Sequence, residues 1–272
     1  MRKLAYLLLM ICLSSCAKYL SYEQPQYSKE IINGFDVEWN GDLEFNTKSL
    51  ITNILESMVY IEGGCFIMGK NSARVFDAPA HYVRVSDFYI CKIELTYLDY
   101  QRLMGTKSSY YNRLDWERLI NYLNVSTGLK FDFPTEAQWE YAAKGGKLSQ
   151  GYIYAGSNDI DMVRCESITC SGKCVPNELG LQNMSGGVSE WCKDSYSEYD
   201  FRYSVDPCVK GGDYYLVRGG SYESYETKTL FDGKIDAVWC EEDYRMCETT
   251  SRMRCESDRL SRTIGCRLIL NL

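Results

Sequence analysis

Three cysteines lie close together in the stretch WCEEDYRMCETTSRMRC, at Cys240, Cys247 and Cys255. Thiolates are soft ligands, so neighbouring cysteines can bind Cu(I) or zinc, and they can also exchange redox equivalents or form disulfides. Cysteine serves equally well as a small apolar group in a protein core. The spacing within this stretch does not separate these roles, so the motifs in the rest of the chain must decide between them.

A second group of cysteines, Cys165, Cys170 and Cys174, has the spacing C-x4-C-x3-C. A zinc knuckle would require a C-x2-C pair and a fourth ligand, so this spacing favours a local or cross-loop disulfide over a metal site. The chain has a single histidine, His81, which excludes a multi-histidine metal centre. His81 could serve one Ser-His-Asp triad, but its place at the edge of a strand-like run favours a structural role.

The first residues, MRKLAYLLLMICLSSC, combine a basic start with an apolar run that is too short to span a bilayer. Residues 1–15 are therefore predicted to be a signal peptide. The end of this stretch resembles a bacterial lipobox, which predicts lipidation of Cys16 and a lipid-anchored location in the bacterial cell envelope. A plain secretory signal cut nearby is the alternative. Export would expose the remaining cysteines to oxidising conditions, under which disulfides form.

The composition sets limits on the class of protein. The chain has 272 residues, a net charge of −7 and no basic block, which argues against a nucleic-acid partner. Its 23 tyrosines suit a loop-rich fold, because rings with one polar end can fix irregular backbone. We expect a lipid-anchored tether and peripheral segment at 16–57, followed by one domain at 58–272.

The elements that would position these residues are short. Helices are predicted in YLDYQRLM, between an N-cap at Thr96 and Gly105, and in DWERLINYLN. A third helix is predicted in TEAQWEYAAKGG, where Thr135 and Gln138 form a capping box. Strand pairs are expected in MVYIEGGCFIMG and in HYVRVSDFYICKIELT. Beyond Gly146 we expect mostly loops and short strands, so the predicted fold class is α+β with an irregular, loop-rich single domain.

Five stretches in order carry a resemblance to a known family: MVYIEGGCFIMG, FDFPTEAQWEYAAKGG, NELGLQNMSGGVSEWCKD, VRGGSY and GCRL. Together they resemble the sulfatase-modifying-factor family, whose best-known member is the formylglycine-generating enzyme. The resemblance covers about Met58 to Leu272. It implies an irregular α+β domain related to C-type lectin-like domains.

The resemblance also implies a reaction, the oxidation of a sulfatase cysteine to formylglycine with oxygen and a Cu(I) ion held by two cysteines. In this chain Ser221 falls on the family's active-site serine. However, Ser224 and Thr229 stand where the two copper-binding cysteines are expected. Cys240 and Cys247 could replace them only if the intervening stretch loops back, and even then their spacing differs from that of the family.

Other departures from the family pattern agree with a loss of catalysis. The substituted positions are Asp132 for arginine, Gly187 for asparagine, Ser189 for tryptophan and Cys266 for phenylalanine. Two acids of the third predicted helix, Glu136 and Glu140, are interpreted as ordinary first-turn acids that favour the helix dipole, without a catalytic role.

One metal site of the family is expected to survive. The resemblance implies a calcium loop with ligands at Asn183, Gly186, Val188 and Glu190. Oxygen ligands from a tight, glycine-rich loop suit Ca²⁺, and backbone carbonyls do not depend on the side chain that Gly187 has lost. The alternative is a loop held by internal hydrogen bonds without an ion.

Three functions fit these observations. The first is a non-catalytic lipoprotein that presents loops to a protein, peptide or glycan ligand. The second is an oxidase of the formylglycine-generating type, with Ser221, Cys240 and Cys247 in the catalytic site. The third is a structural part of an envelope assembly, which the sequence does not separate from the first.

Overall fold

The computed structural model describes residues 28–41, 43–71, 77–165, 174–225 and 244–272, without the side chains of residues 224, 225 and 244. Several sequence predictions lie outside the described residues, namely the signal peptide at 1–15, the lipidation site Cys16, the cysteines Cys170 and Cys240, and Thr229. Of Ser224 only the backbone is described.

The described chain begins with a β-hairpin and a helix. These elements are β1 (Ser28–Ile32), β2 (Phe35–Trp39) and α1 (Phe45–Glu56). Val37 and Trp39 of the hairpin and Ile51 and Leu55 of the helix are buried in the main hydrophobic core. Packed structure therefore begins well before the domain boundary that the sequence suggested at Met58.

The next four strands pair in a nested order. They are β3 (Met58–Ile61), β4 (Gly64–Met68), β5 (His81–Val85) and β6 (Phe88–Cys91). The strands predicted in both stretches form, but β3 pairs with β6 and β4 with β5. A Cβ atom at Gly63 would lie 2.4 Å from the carbonyl oxygen of Val85, so glycine permits the close crossing between the two ladders.

Four further helices follow. They are α2 (Tyr97–Met104), α3 (Arg113–Thr127), α4 (Glu136–Ala143) and the single-turn α5 (Ile160–Val163). The N-cap predicted at Thr96 and the capping box predicted at Thr135 both form, and Gly105 ends α2 in the left-handed conformation. Within the described ranges, no helix has both the length and the apolar content needed to cross a bilayer.

The rest of the chain contains short strands separated by loops. They are β7 (Phe131–Asp132), β8 (Ser189–Ser195), β9 (Ser204–Val205), β10 (Tyr214–Arg218), β11 (Met253–Glu256), β12 (Ile264–Gly265) and β13 (Ile269–Asn271). The larger sheets have the orders β11-β10-β8-β12, β3-β6-β13-β7 and β4-β5-β9. This loop-rich mixture of helix and sheet is the α+β single domain that the sequence predicted.

Helix α4 lies at the centre of this arrangement and contacts β4, β5, β8 and β10. All eight of its residues are buried. A helix that is buried on every side needs partners for its polar groups as well as for its apolar ones. Its two glutamates are therefore paired inside the protein instead of facing solvent as ordinary first-turn acids do.

Candidate functional site

The Gly219–Tyr222 turn directly follows β10 and joins a second loop that the sequence singled out. Gly219 and Gly220 have φ angles of 93° and 67°, which favour glycine. The amide of Gly186 donates to the carbonyl of Gly219 at 2.8 Å, and the amide of Tyr222 donates to that of Gly187 at 2.7 Å. The active-site-like turn and the calcium-like loop therefore form one hydrogen-bonded unit.

Cys247 is brought to this unit. It ends a short 3₁₀ turn, Tyr244–Cys247, and is 0% exposed. A Cβ atom at Gly220 would lie 2.4 Å from its sulfur, and the hydroxyl of Ser185 donates to its carbonyl at 2.8 Å. The chain thus loops back as the oxidase hypothesis requires for Cys247. Cys255 carries a free thiol, so it forms none of the cross-links expected in this stretch.

Ser221 lies within the turn itself and is only 7% exposed. In the other cysteine group, Cys165 is disulfide-bonded, and the thiol of Cys174 donates to the carbonyl of Arg164 at 2.8 Å. Across the described part of the chain, no three His, Cys, Asp or Glu side chains are grouped closely enough to hold a metal ion. A metal site here would have to rely on amide and carbonyl oxygens.

An aromatic surface, here called the tyrosine face, lies beside the turn and consists of Tyr97, Tyr110, Tyr222, Glu223 and Arg262. Arg262 donates to one oxygen of Glu223 from Nε at 3.0 Å and from Nη2 at 2.6 Å. Burial, followed by the nearby Glu223 carboxylate, raises the pKa of Tyr222, and Tyr97 and Tyr110 are close enough to add to that effect. Tyr110 is 52% exposed, so the face is open to solvent.

The first of two buried ionic groups, here called the α4 cluster, contains Glu136, Glu140, Asp194, Lys144, Arg218 and Arg252. Arg218 Nη2 lies 2.5 Å from Glu140 and its Nη1 lies 3.3 Å from Glu136. Arg252 donates to both oxygens of Glu136, at 2.5 and 2.9 Å. Burial opposes ionisation of Glu140, yet Lys144 and Arg218 together hold its pKa below the ordinary value.

The α4 cluster also binds the backbone of the segment that follows the short 3₁₀ turn Tyr244–Cys247. Arg218 donates to the carbonyls of Thr249 and Thr250 at 2.9 and 3.1 Å. The segment that follows residue 243 is thereby attached to the central helix, next to the turn that precedes residue 226. The charges of Glu136 and Glu140 are therefore paired inside the protein, and the interpretation that these acids have no catalytic role stays a prediction.

The second ionic group, here called the Arg267 cluster, contains Arg267, Glu190 and Glu94. Arg267 donates to Glu190 at 2.7 to 3.0 Å and lies 3.4 Å from Glu94. Trp139 Nε1 donates to Glu190 at 2.6 Å. Burial raises the pKa of Glu94 to about 8, with Arg267 opposing the shift and Glu190 adding to it. One guanidinium is thus shared by two buried carboxylates.

Glu94 fills the space beside the calcium-like loop. A Cβ atom at Gly187 would lie 2.2 Å from Glu94 Oε1, so the carboxylate stands where a side chain at position 187 would begin. Asn183 Nδ2 donates to the same oxygen at 3.0 Å. Glu94 was not among the residues predicted from the sequence. The available signal was an acid between Ile93 and Leu95, shortly after β6 ends at Cys91, where burial demands a partner.

The predicted calcium ligands differ in how well they suit a cation. Asn183 is 5% exposed, and its Oδ1 has no hydrogen-bond partner among the described residues, so it suits a hard cation. Glu190 already accepts from Arg267 and Trp139 with both of its oxygens. The carbonyls of Gly186 and Val188 belong to the same loop, and their role as ligands stays a prediction.

Asp132 and Cys266, two of the three remaining departures from the family pattern, have structural environments that can be described, as does the histidine. Asp132 of β7 pairs with Lys193 Nζ at 2.5 Å, which provides a charge partner on β8, a strand of a different sheet. Cys266 is buried and exchanges backbone hydrogen bonds with Leu95. His81 Nδ1 lies 3.0 Å from the carbonyl of Pro79, and its ring packs on Tyr199 at 4.7 Å, which gives it a structural environment.

Sequence comparisons find relatives with different names. The chain is 27% identical to "Chaperone protein LppX" of Paenibacillus barcinonensis, covering 68% of this chain and 86% of that protein. It is 28% identical to "Serine/threonine-protein kinase Pkn1" of Chlamydia trachomatis, covering 63% of this chain but spanning only 34% of the kinase. It is 33% identical to "Formylglycine-generating enzyme" of Streptomyces coelicolor, over 35% of this chain and 37% of that enzyme.

Solved structures share the fold. "Treponema denticola variable protein 1" aligns with a TM-score of 0.62 at 18% identity, covering 92% of this chain and 100% of that one. PvdO from Pseudomonas aeruginosa aligns with a TM-score of 0.60 at 18% identity, covering 79% and 94%. The sequence model described as "Sulfatase-modifying factor enzyme 1-like domain" matches residues 46–126 and 112–272. The chain therefore belongs to the sulfatase-modifying factor enzyme 1-like family.

Proposed function

We propose that this protein is an exported lipoprotein whose domain acts as a binding or assembly module and not as an oxidase. One observation carries the proposal. The Gly219–Tyr222 turn keeps its sequence, but Ser224 and Thr229 stand where the oxidases of the family have their copper-binding cysteines. A hydroxyl cannot replace a thiolate as a soft ligand for Cu(I).

The position of Cys247 supports the same proposal. Its side chain has no exposed surface, and its sulfur packs against the backbone of Gly220. An oxidase of this type must bring a substrate thiol to its own thiolates, so the reacting sulfur needs an open approach. A sulfur in this environment acts first as a packing group that holds the returning chain to the turn.

The tyrosine face supplies a surface for a ligand. Tyrosine offers a large, rigid contact area with a polar end, and arginine is enriched with it at the energetic centres of interfaces. The face lies beside the turn, and the α4 cluster holds the neighbouring backbone in place through Arg218. This combination suits a protein, peptide or glycan ligand presented to the loop end of the domain.

The envelope location rests on the lipobox at Cys16, and the membrane partner would be reached through the lipid anchor. A relative named as a chaperone, matched over 86% of its length, also supports a role without oxidase chemistry. Mass spectrometry of the protein purified from membranes should give an N-terminal Cys16 with attached acyl chains. An unmodified thiol at Cys16 would contradict the anchor.

The loop at 183–188 is proposed to bind Ca²⁺, with Asn183 as its side-chain ligand. The orphaned Oδ1 of this buried residue supports the assignment. Added Ca²⁺ should raise the melting temperature above that of an EDTA-treated sample, because an ion that binds only the folded state stabilises it. Equal concentrations of Mg²⁺ should have a smaller effect. Identical melting temperatures in Ca²⁺ and in EDTA would contradict the proposed calcium site.

The oxidase is kept as a second candidate because Cys247 Sγ lies against the turn. Cu(I) titration against a competing chelator, together with an oxygen-dependent assay on a cysteine-containing sulfatase peptide, separates the two functions. We expect neither tight binding nor turnover. The variant Cys247→Ser is compared with Cys65→Ser, which removes an exposed thiol away from the turn. If the wild-type protein turned over the peptide, and Cys247→Ser abolished this turnover while Cys65→Ser did not, the protein would be an oxidase and the proposed binding function would be wrong.

A further inference from the structure

The sheet β4-β5-β9 has one face turned to the core and one turned to solvent. Helix α4 contacts β4 and β5, and Met68, Val83 and Val85 are buried in the same core cluster as residues of this helix. Side chains alternate between the two faces of a strand, so the intervening residues point away from the core. The outward residues, here called the thiol face, include Tyr203 directly before β9; they are Cys65, Ile67, Tyr82, Arg84, Tyr203 and Val205, all exposed.

The register of the strands makes the thiol face continuous. Cys65 lies opposite Arg84 on the antiparallel pair β4–β5, and Arg84 lies opposite Val205 on the parallel pair β5–β9. The side chain of Tyr203 reaches that of Cys65, which connects the β9 side of the sheet with the β4 side. One uninterrupted outer surface therefore spans all three strands.

The apolar part of the thiol face has the size that an interface requires. Ile67 and Tyr82 lie opposite each other and are 49% and 63% exposed, and Tyr203 and Val205 are 56% and 51% exposed. These four side chains leave on the order of 400 Å² of apolar surface in water. A standard interface buries about 800 Å² on each partner, of which a little over half is apolar. The thiol face therefore offers about the apolar area that one partner contributes.

A cation and an anion lie side by side at the edge of the thiol face. The amide of Asp206 donates to the carbonyl of Arg84 at 2.8 Å, so the two residues are neighbours. Both carboxylate oxygens of Asp206 accept from Ser86, at 2.6 and 2.7 Å, which fixes the position of the acid. Opposite charges side by side complement themselves about a two-fold axis, because the rotation can place each charge opposite the other. A chain of net charge −7 can therefore meet its own copy at this face without a clash of like charges.

We propose that the thiol face is the contact between two copies of this chain related by a two-fold axis. Such a contact uses the same surface on both copies and covers the apolar side chains of both at once. A lipid surface would instead favour an excess of lysine and arginine around the apolar residues, whereas here Arg84 is accompanied by Asp206. The dimer does not depend on the binding function proposed above. It would present two tyrosine faces, which raises the avidity for a ligand with repeated epitopes.

The first test uses Cys65 as a reporter, because it is an exposed free thiol. Membranes that contain the full-length protein are treated with a short bismaleimide, which joins two thiols as thioethers and needs no oxidant. We expect a product of two chains on a denaturing gel. Cys65→Ser should abolish this product, since the reagent then lacks its thiol on the proposed contact.

The second test measures the mass of the assembly by sedimentation equilibrium of the full-length protein in density-matched detergent, over a range of protein concentrations. We expect two chains for the wild-type protein. Ile67→Lys should weaken self-association by roughly 10-fold or more, because it places a charge in the apolar contact on both copies. Leu114→Lys is the matched control, since Leu114 is an aliphatic residue on α3 with a similar exposure of 46%. Both substituted side chains face solvent in the single chain, so both variants should fold.

Single chains in both measurements would overturn the proposal. A dimer that Ile67→Lys leaves unchanged would also overturn it, because the copies would then meet at another surface, and so would equal losses for Ile67→Lys and Leu114→Lys. If single chains bound phospholipid vesicles and Ile67→Lys alone weakened that binding, the thiol face would contact a lipid surface and the dimer would be wrong.

Discussion

The α4 cluster and the Arg267 cluster both pair buried glutamates with buried arginines, but they differ in the number of cations that each glutamate contacts. In the first, each of Glu136 and Glu140 has two cationic partners. In the second, two glutamates share Arg267. A matched group needs nothing further, whereas an unmatched one must be completed by a proton or a cation. Burial of an acid therefore does not by itself indicate a functional site, because its charge can be neutralised by a neighbouring cation or by a proton.

The largest expected effect separates the two arginines. Arg267→Met should lower the free energy of unfolding by roughly 3 to 5 kcal/mol, because it leaves two buried carboxylates without a cation. Arg218→Met should cost less, since Glu140 keeps Lys144 and Glu136 keeps Arg252. Urea unfolding of both variants gives the comparison. Equal losses would mean that the difference in charge balance has no energetic consequence.

A smaller effect concerns the α4 cluster, where the protonation of Asp194 makes the free energy of unfolding depend on pH. Burial, and then the nearby Glu136, raises the pKa of Asp194 to about 6. The folded protein therefore binds more protons than the unfolded chain between the two pKa values. The stability that this protonation contributes is fully present below about pH 4 and is lost as the pH rises through 6.

The matching experiment compares the wild-type protein with Asp194→Asn. The advantage in unfolding free energy of the wild type over the variant should shrink between pH 4 and pH 7, by at most about 3 kcal/mol for a shift of this size. Urea unfolding at several pH values measures the difference directly. A difference that does not change with pH, or that grows, would contradict the raised pKa.

The smallest expected effect tests whether the cap of α4 holds both clusters in place. Thr135→Ala removes the acceptor for Gln138 and should cost about 1 kcal/mol, the usual value for an N-cap. Asn112→Ala removes the equivalent cap of α3 and serves as the control. Thermal unfolding should give similar losses. A much larger loss for Thr135→Ala would show that the geometry of the clusters depends on this cap.

Local signals predicted α2, α3 and α4, whereas α1 and α5 were not predicted. Capping boxes at Thr96 and Thr135 and the glycine at Gly105 act within one turn of chain, so the sequence contains all the partners. Strand pairing was harder to predict, because the ladders β3–β6 and β4–β5 depend on contacts between distant residues. Alternation shows that a strand exists, but it does not identify the neighbouring strand.

The same contrast between local motifs and long-range contacts applies to the candidate site. Motifs pointed to Ser221 and Asn183, and the structure joins their loops through two backbone hydrogen bonds. Glu94 was not predicted, since its importance arises only from its contact with Asn183, 89 positions away in the chain. The pairing of Glu190 with Arg267 was also missed, because a carboxylate in a loop motif looks like an available ligand until its neighbours are known.

The contact between Gly220 and Cys247 holds together the two ends of the segment between them, which makes this segment suitable for replacement by another sequence. The 3₁₀ turns Tyr222–Tyr225 and Tyr244–Cys247 touch each other, so the two ends of the intervening segment lie side by side. The entropy of closing a loop rises only by about 0.6 kcal/mol for each doubling of its length. Two ends held side by side can therefore be joined by segments of different length at a small entropic cost, and we expect the two turns to accept a grafted foreign peptide between them.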